Sequence, residues 1–453
     1  MLSIILAMSS KSVEEGKWTS AHTWTFIAFS FGMLLEAYIY GLATFATGWY
    51  PITNTFLKST ILAWAPIWLA VGILFAGPIS DRLGRKTTFY ITMTLYAIGA
   101  IGIFFAYTYY LVLPFMAMLL FAAGGEMNTI MAANHELMPS KYRTKTMYWE
   151  INFINVGGVL LAIVAIAASA SYYGSRIFQR EMIGFTFVPI LIVLIYSRIK
   201  MPESVRWLEF KGRKEDAAKV YSKYYTSNMS SSSISEPDPP AASAVNMGST
   251  MTRKPSVALR LFVTTAIATA NAVGFGLMTY VLGPYYFPSL YAYIVLVANI
   301  VGFAMGTILG TLGFTWSRIK VLLYSSIGTA VVTYIIYALV PEWRTSVIFF
   351  WFLLVALNVF VGINYIGEDA LKGEVWPTKH RGLYTAIPRV LSIGVIDTIA
   401  IYYTAGLSLS QYTLFNALIW TLGLVGAIVW WYRGNETGKG VSLTAASGEV
   451  LPT

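Results

Sequence analysis

Twelve stretches of this chain stay apolar long enough to cross about 30 Å of hydrocarbon at about 1.5 Å per residue, and nothing else in the sequence narrows the fold as much. Inside a bilayer every backbone N–H and C=O must find its partner within the protein, so long unbroken apolar runs can only become a bundle of helices. The runs fall at 23–46, 60–80, 87–108, 110–136, 147–170 and 181–199, then at 257–282, 288–314, 318–340, 345–373, 382–405 and 411–432. Composition agrees, with 57% hydrophobic and 11% charged residues where a soluble chain carries roughly a quarter charged. The sequence predicts an all-α integral membrane protein.

Basic side chains are retained on the cytoplasmic side of a membrane. Of the 31 Lys and Arg, all but Lys58, Arg176, Arg180, Arg344 and Arg389 fall in the termini or in the loops after spans 2, 4, 6, 8 and 10. Both ends are therefore expected in the cytoplasm, with the cell membrane as location. The same distribution explains the net charge of +10 without nucleic acid as a partner. Met1–Ala7 is apolar but lacks a basic flank, so it does not read as a signal peptide. With no Cys and three scattered His, no metal site or cofactor is expected.

Glu136-Leu-Met-Pro-Ser-Lys-Tyr-Arg143 returns 238 residues later as Glu374-Val-Trp-Pro-Thr-Lys-His-Arg381. Loop chemistry repeated at half the chain length points to duplication, and in a membrane to a transporter. The expected units are a cytoplasmic segment 1–22, a six-helix bundle 23–199, a connecting region 200–256, a second bundle 257–432 and a tail 433–453. In the connecting region, Pro202–Tyr225 carries Trp207, Leu208, Phe210, Ala217, Val220 and Tyr224 at helical spacing, as an amphipathic helix on the membrane face would. Ser227–Ser256 is rich in Ser, Pro and Ala and reads as a flexible linker.

The loop after span 2 reads Gly77-Pro-Ile-Ser-Asp81-Arg82-Leu-Gly84-Arg85-Lys86, with glycines placed to turn two helices back on each other. Its counterpart, Gly313 followed by Ser317, Arg318, Ile319 and Lys320, has lost the Asp and the second Gly-Arg. With Pro202-Glu-Ser-Val-Arg-Trp-Leu208 after span 6 and Glu436-Thr-Gly-Lys-Gly-Val-Ser-Leu443 after span 12, the chain resembles the major facilitator superfamily, in its sugar-porter and general metabolite branch. The resemblance covers residues 20–443. It implies two pseudo-symmetric six-helix bundles, each of inverted three-helix repeats, that rock about a central cavity. It also implies that charged residues on the cytoplasmic face latch the halves: Asp81, Arg82, Arg85, Glu136, Arg143 and Glu203 from the first, Arg318, Glu374, Arg381 and Glu436 from the second. The alternative is that these residues only set topology and solvate helix ends, although retention of basic loops needs no acids.

Six ionisable residues lie well inside spans: Glu36, Glu126, Glu368, Asp369, Arg389 and Asp397. Each costs roughly 2.5–3.5 kcal/mol at mid-bilayer, which marks a pathway by default. Glu36, Glu126 and Asp397 lie about 18–22 Å from the cytoplasmic end, Glu368, Asp369 and Arg389 about 8–10 Å. That common depth suggests that Arg389 pairs with Glu368 or Asp369; alternatively it anchors an anionic group of the substrate. Leu35-Glu36-Ala37-Tyr38 and Gly124-Gly125-Glu126 are similar to the acidic motifs of proton-coupled phosphate and organic-acid symporters, with Ile39 where those have a second acid. Glu36 and Glu126, with no basic residue at their depth, are the expected proton sites. Span 7 lacks the Gln pair of sugar porters, and Asp369 stands where their Trp would be. The expected substrate contacts are Tyr40, Glu126, Asn155, Asn271, Asn364, Tyr365, Glu368 and Arg389, any of which can instead bond a neighbouring helix. The reading is proton-coupled symport of a small polar metabolite by a monomer. A facilitative sugar uniporter is the alternative, and a nutrient sensor or a membrane-embedded enzyme lies further off.

Overall fold

The structure, a computed structural model, describes residues 13, 16–170, 175–225, 255–376 and 381–438. Among the described residues, twelve helices are long and apolar enough to cross a membrane: α1 Ser20–Trp49, α2 Thr55–Leu83, α3 Arg85–Phe105, α4 Tyr109–Leu137, α5 Lys141–Ala170, α6 Arg176–Lys200, α7 Val257–Tyr286, α8 Tyr291–Leu312, α9 Arg318–Ala338, α10 Val347–Glu374, α11 Leu383–Thr404 and α12 Leu409–Arg433. Several begin at a polar side chain that takes an otherwise orphaned backbone N–H. Asn54, Thr108, Ser175, Ser256, Ser346 and Ser408 cap α2, α4, α6, α7, α10 and α12 in this way.

Two six-helix bundles meet along α5 against α8 and α2 against α11, which leaves α1, α4, α7 and α10 facing the centre. Small residues permit the close crossings. A Cβ on Gly124 would strike the Leu69 carbonyl oxygen of α2, and at the seam Gly302 and Gly306 of α8 make room for Asn155 and Asn152 of α5. The outer helices turn large apolar side chains outward, among them Ile101 and Phe105 on α3 and Phe185 and Ile192 on α6. Such a surface belongs against lipid, as expected of a multi-pass membrane protein.

Gly84, with φ +97°, reverses the chain between α2 and α3. The turn expected at Gly77 is absent, because α2 runs through Gly77 and Pro78 to Leu83 and one left-handed residue suffices. The expected amphipathic helix after α6 is two short helices, Val205–Phe210 and Lys214–Tyr224, broken at Gly212, where φ is +73°. Val205, Trp207, Leu208 and Ala217 pack there against Val13, while Phe210 points outward. The expected linker lies almost wholly outside the described residues.

Candidate transport cavity and gates

The side of the molecule bearing the loops after α2, α4, α6, α8 and α10 is called here the basic face. At the start of α3, Arg85 donates to Glu136 at the end of α4 (2.7 and 3.1 Å) and to Asp81 (2.7 Å). Glu203 accepts the backbone N–H of Arg85 at 3.0 Å and of Lys86 at 3.1 Å, capping α3. Burial pushes the Glu203 carboxyl up from the usual range, and the N–H groups of Ser204, Lys86 and Arg85 oppose that rise. The second half repeats the plan: Arg318 starts α9 and donates to Glu374 at 3.0 Å, and Glu436 accepts the Arg318 N–H at 2.7 Å. Ser317, which caps α9, also bonds Glu436.

These partnerships stay within each half, unlike the cross-half latch implied by the resemblance. Each Arg sits at a helix start beside the acid that ends the next helix, and that local geometry satisfies it. Among the described residues, the halves are linked here by a bond from Arg318 to the Tyr148 hydroxyl of α5, with the guanidinium 5.1 Å from the ring centroid, and by Asn152 of α5, which donates to the Phe303 carbonyl and the Thr307 hydroxyl of α8 at 3.2 Å. Met147, Tyr148 and Ile151 of α5 continue the contact against Ile366 and Ala370 of α10. Arg82 is exposed, Arg143 reaches the Met138 carbonyl at 3.5 Å, and the Arg381 side chain lies outside the described part.

On the opposite side the halves are tied by Tyr40 to Asp397 (2.7 Å), Thr44 to the Tyr280 carbonyl (2.9 Å) and Lys58 to the Pro284 carbonyl (2.5 Å). Between the two closures lies a cavity of about 100 Å³, room for a few waters. It abuts π-helical turns, Ala270–Phe275 and Leu277–Val281 in α7 and Val390–Asp397 in α11, which widen those helices where they face it.

Of the predicted substrate contacts, Tyr40, Asn155, Asn271, Tyr365 and Glu368 line this cavity, joined by Glu36. Asn364 lies behind it, accepting from Asn271 at 2.8 Å and donating to Ser325 and Ser326 at 2.8 Å, so it fixes Asn271. Arg389 is also behind the wall and donates to Asp369 at 2.8 Å. Lys372 lines the cavity and bridges Glu368 (2.9 Å) and Asp369 (2.8 Å). Lys372 stands at the end of the tenth run and was not among the charges singled out inside spans, but it lies one turn from Glu368 on the same face of α10.

The expectation that Glu126 lacks a basic partner is corrected. Arg198 of α6 pairs with it, Thr92 donates to it at 2.9 Å, and the group is walled into the first half away from the cavity. Arg198, near the end of its span, reaches inward because its stem is long. Glu36 is the contrasting case: 7% exposed and on the cavity wall, it has one oxygen buried with no partner among the described residues. The charged groups near enough to act on it are Arg389, Asp369 and Lys372. Three acids face two bases there, so one carboxylate is in excess. Asn299, Asn358 and Tyr280 also line the cavity and were not foreseen.

Twelve spans in two bundles around a central cavity, whose largely apolar wall carries a few polar and charged groups, make up the major facilitator fold. The chain belongs to the sugar (and other) transporter family, whose model matches residues 8–265. It is 33% identical over 172 residues to the major myo-inositol transporter IolT of Bacillus subtilis (strain 168), covering 38% of this chain and 36% of that one. It is 29% identical over 198 residues to the glucose transporter GlcP of Staphylococcus epidermidis, covering 43% of each. The aligned stretch thus spans less than half of these relatives. The inward open xylose transporter XylE from E. coli superposes with a TM-score of 0.71 over 94% of this chain and 99% of that one, at 17% identity, a likeness of fold.

Proposed function

We propose that this protein is a secondary active transporter that carries a small polar metabolite together with a proton, by alternating access. The observation that carries the reading is Glu36, a buried carboxylate on the cavity wall, one oxygen of which has no partner among the described residues, in a cluster with one acid too many. Binding a proton there removes an unpaired buried charge, which an empty cavity would otherwise have to carry while the halves rock. The named relatives carry myo-inositol and glucose, and a lining of Asn and Tyr suits a solute that presents hydroxyl or similar polar groups. Glu36 is the proton site; Tyr40, Asn155, Asn271, Tyr365 and Glu368 are the substrate contacts, and Arg389 orients Asp369. Glu126 serves the first half through Arg198. The protein acts as a monomer in the cell membrane with its basic face and both termini in the cytoplasm.

The test is uptake of radiolabelled myo-inositol and glucose into proteoliposomes. A symporter concentrates one of them when the outside is acidic, loses this with an uncoupler, and loses it in Glu36→Gln. Equilibration without concentration, indifferent to pH, would replace symport by facilitated uniport.

A further inference from the structure

Glu150 takes no part in the chemistry described so far. It stands ten residues into a helix that begins at Ser140 and is 1% exposed. One carboxylate oxygen accepts an N–H from Asn134 of α4 at 2.8 Å. The other is buried with no partner among the described residues.

Its place relative to the cavity follows from helix geometry. Ile154, one turn further along α5, lines the cavity, as does Met127 on α4. Glu150 therefore lies on the same face about 6 Å closer to the basic face, and Asn134 lies two turns below Met127. Their bond spans α4 and α5 just under the cavity floor. Met147 and Tyr148, the next residues toward the basic face, form the layer against α10 that Arg318 closes. The carboxylate is thus held between the cavity and the contact joining the halves.

The charged groups on the elements packed around α5 do not neutralise it. Helix α1 brings His22 and Glu36, α4 brings Glu126, His135 and Glu136, α6 brings Arg198 and Lys200 at its near end, and α10 brings Glu368, Asp369, Lys372 and Glu374; α8 brings none, and α5 itself carries Lys141, Arg143 and Lys145 nearer the basic face. Arg198 is committed to Glu126, and Lys372 to Glu368 and Asp369. If Asn134 needed only an acceptor, an amide would serve without leaving a charge to bury. A carboxyl at this depth earns its place by changing protonation.

We propose that Glu150 is a second proton station, which takes the coupling proton from the cavity and releases it at the basic face. This rests on the symport reading above. In the step, the O–H bond of the Glu36 carboxyl breaks, the proton crosses cavity water, and a new O–H bond forms on the Glu150 carboxylate. When the Arg318–Tyr148 contact parts, Glu150 yields the proton to water and returns to a carboxylate held by Asn134.

Proteoliposomes with radiolabelled myo-inositol, assayed for gradient-driven accumulation and for exchange at equal pH, test this. In Glu150→Gln, accumulation is expected to fall at least about tenfold while exchange stays within about twofold. Equal accumulation in wild type and variant, or equal loss of accumulation and exchange, overturns the proposal and leaves the symport reading standing. A wild type that exchanges but does not accumulate overturns both. Infrared difference spectra of the purified protein need no solute. A protonated-carboxyl signal that titrates in wild type and is missing from Glu150→Gln, but retained in Glu36→Gln, supports the station; identical spectra for wild type and Glu150→Gln overturn it.

Discussion

Arg85 and Arg318 begin corresponding helices, pair with Glu136 and Glu374 at the ends of the helices that follow, and have their backbone N–H groups capped by Glu203 and Glu436. Ten residues back from those paired acids the halves part company. Glu126 is closed off with Arg198, whereas Asn364 braces Asn271 beside the cavity. At this position the first half keeps its charge balanced and remote from the cavity. The second half contributes Glu368, Asp369, Lys372 and Arg389, which together with Glu36 make an unbalanced cluster at the cavity. The Arg–Glu pair and the Glu cap at the helix ends can be kept in both copies because each copy faces the same task. A transport site between the halves needs different groups from each.

The sharpest way to break this contrast is through Arg198. Arg198→Ala strands a buried carboxylate and is expected to cost about 3–5 kcal/mol, whereas replacing Arg198 and Glu126 together by apolar residues restores most of that. Thermal unfolding in detergent with and without the second substitution measures it. If the single variant were as stable as wild type, the pair would not be the structural tie described here.

Glu36→Gln should behave oppositely, with stability unchanged or raised by up to about 1 kcal/mol and concentrative uptake abolished. A large loss of melting temperature would place Glu36 with Glu126 instead.

The two basic-face clusters can be separated by labelling, since the chain has no Cys and a single reporter has no background. Removing the hydroxyl bonded by Arg318, as Tyr148→Phe, should weaken closure by about 1 kcal/mol and speed thiol labelling at a cysteine placed at the buried Ala370 roughly fivefold. Asp81→Asn, which touches a partner within its own half, should leave the rate unchanged.

The smallest effect concerns Glu203. Because burial raises its carboxyl above the unfolded value, its protonation favours the fold, fully so below the unfolded value, and this increment is lost as pH rises through the folded value. Glu203→Gln should therefore show a shallower decline of melting temperature with rising pH across the mildly acidic range.

Much of this was legible in the chain itself. Apolar length and the need to satisfy backbone groups dictated twelve helices, and repetition of Glu-x-x-Pro-(Ser/Thr)-Lys-x-Arg dictated two halves, because both properties are local. The acids Glu36, Glu368 and Asp369 were visible for the same reason, as charges inside apolar runs. Lys372, Arg198 and Glu150 escaped because they stand near the ends of spans, where hydropathy cannot distinguish a side chain that enters the protein from one that meets water. The fifth run looked as if it began at 147, which left Glu150 at the interface, yet the helix starts at Ser140 and carries it inside. Which charge meets which, which carboxylate is left over, and where widened turns of α7 and α11 abut a cavity depend on how twelve helices pack. Side-chain reach and helix crossing are properties of pairs, so only the tertiary structure could decide them.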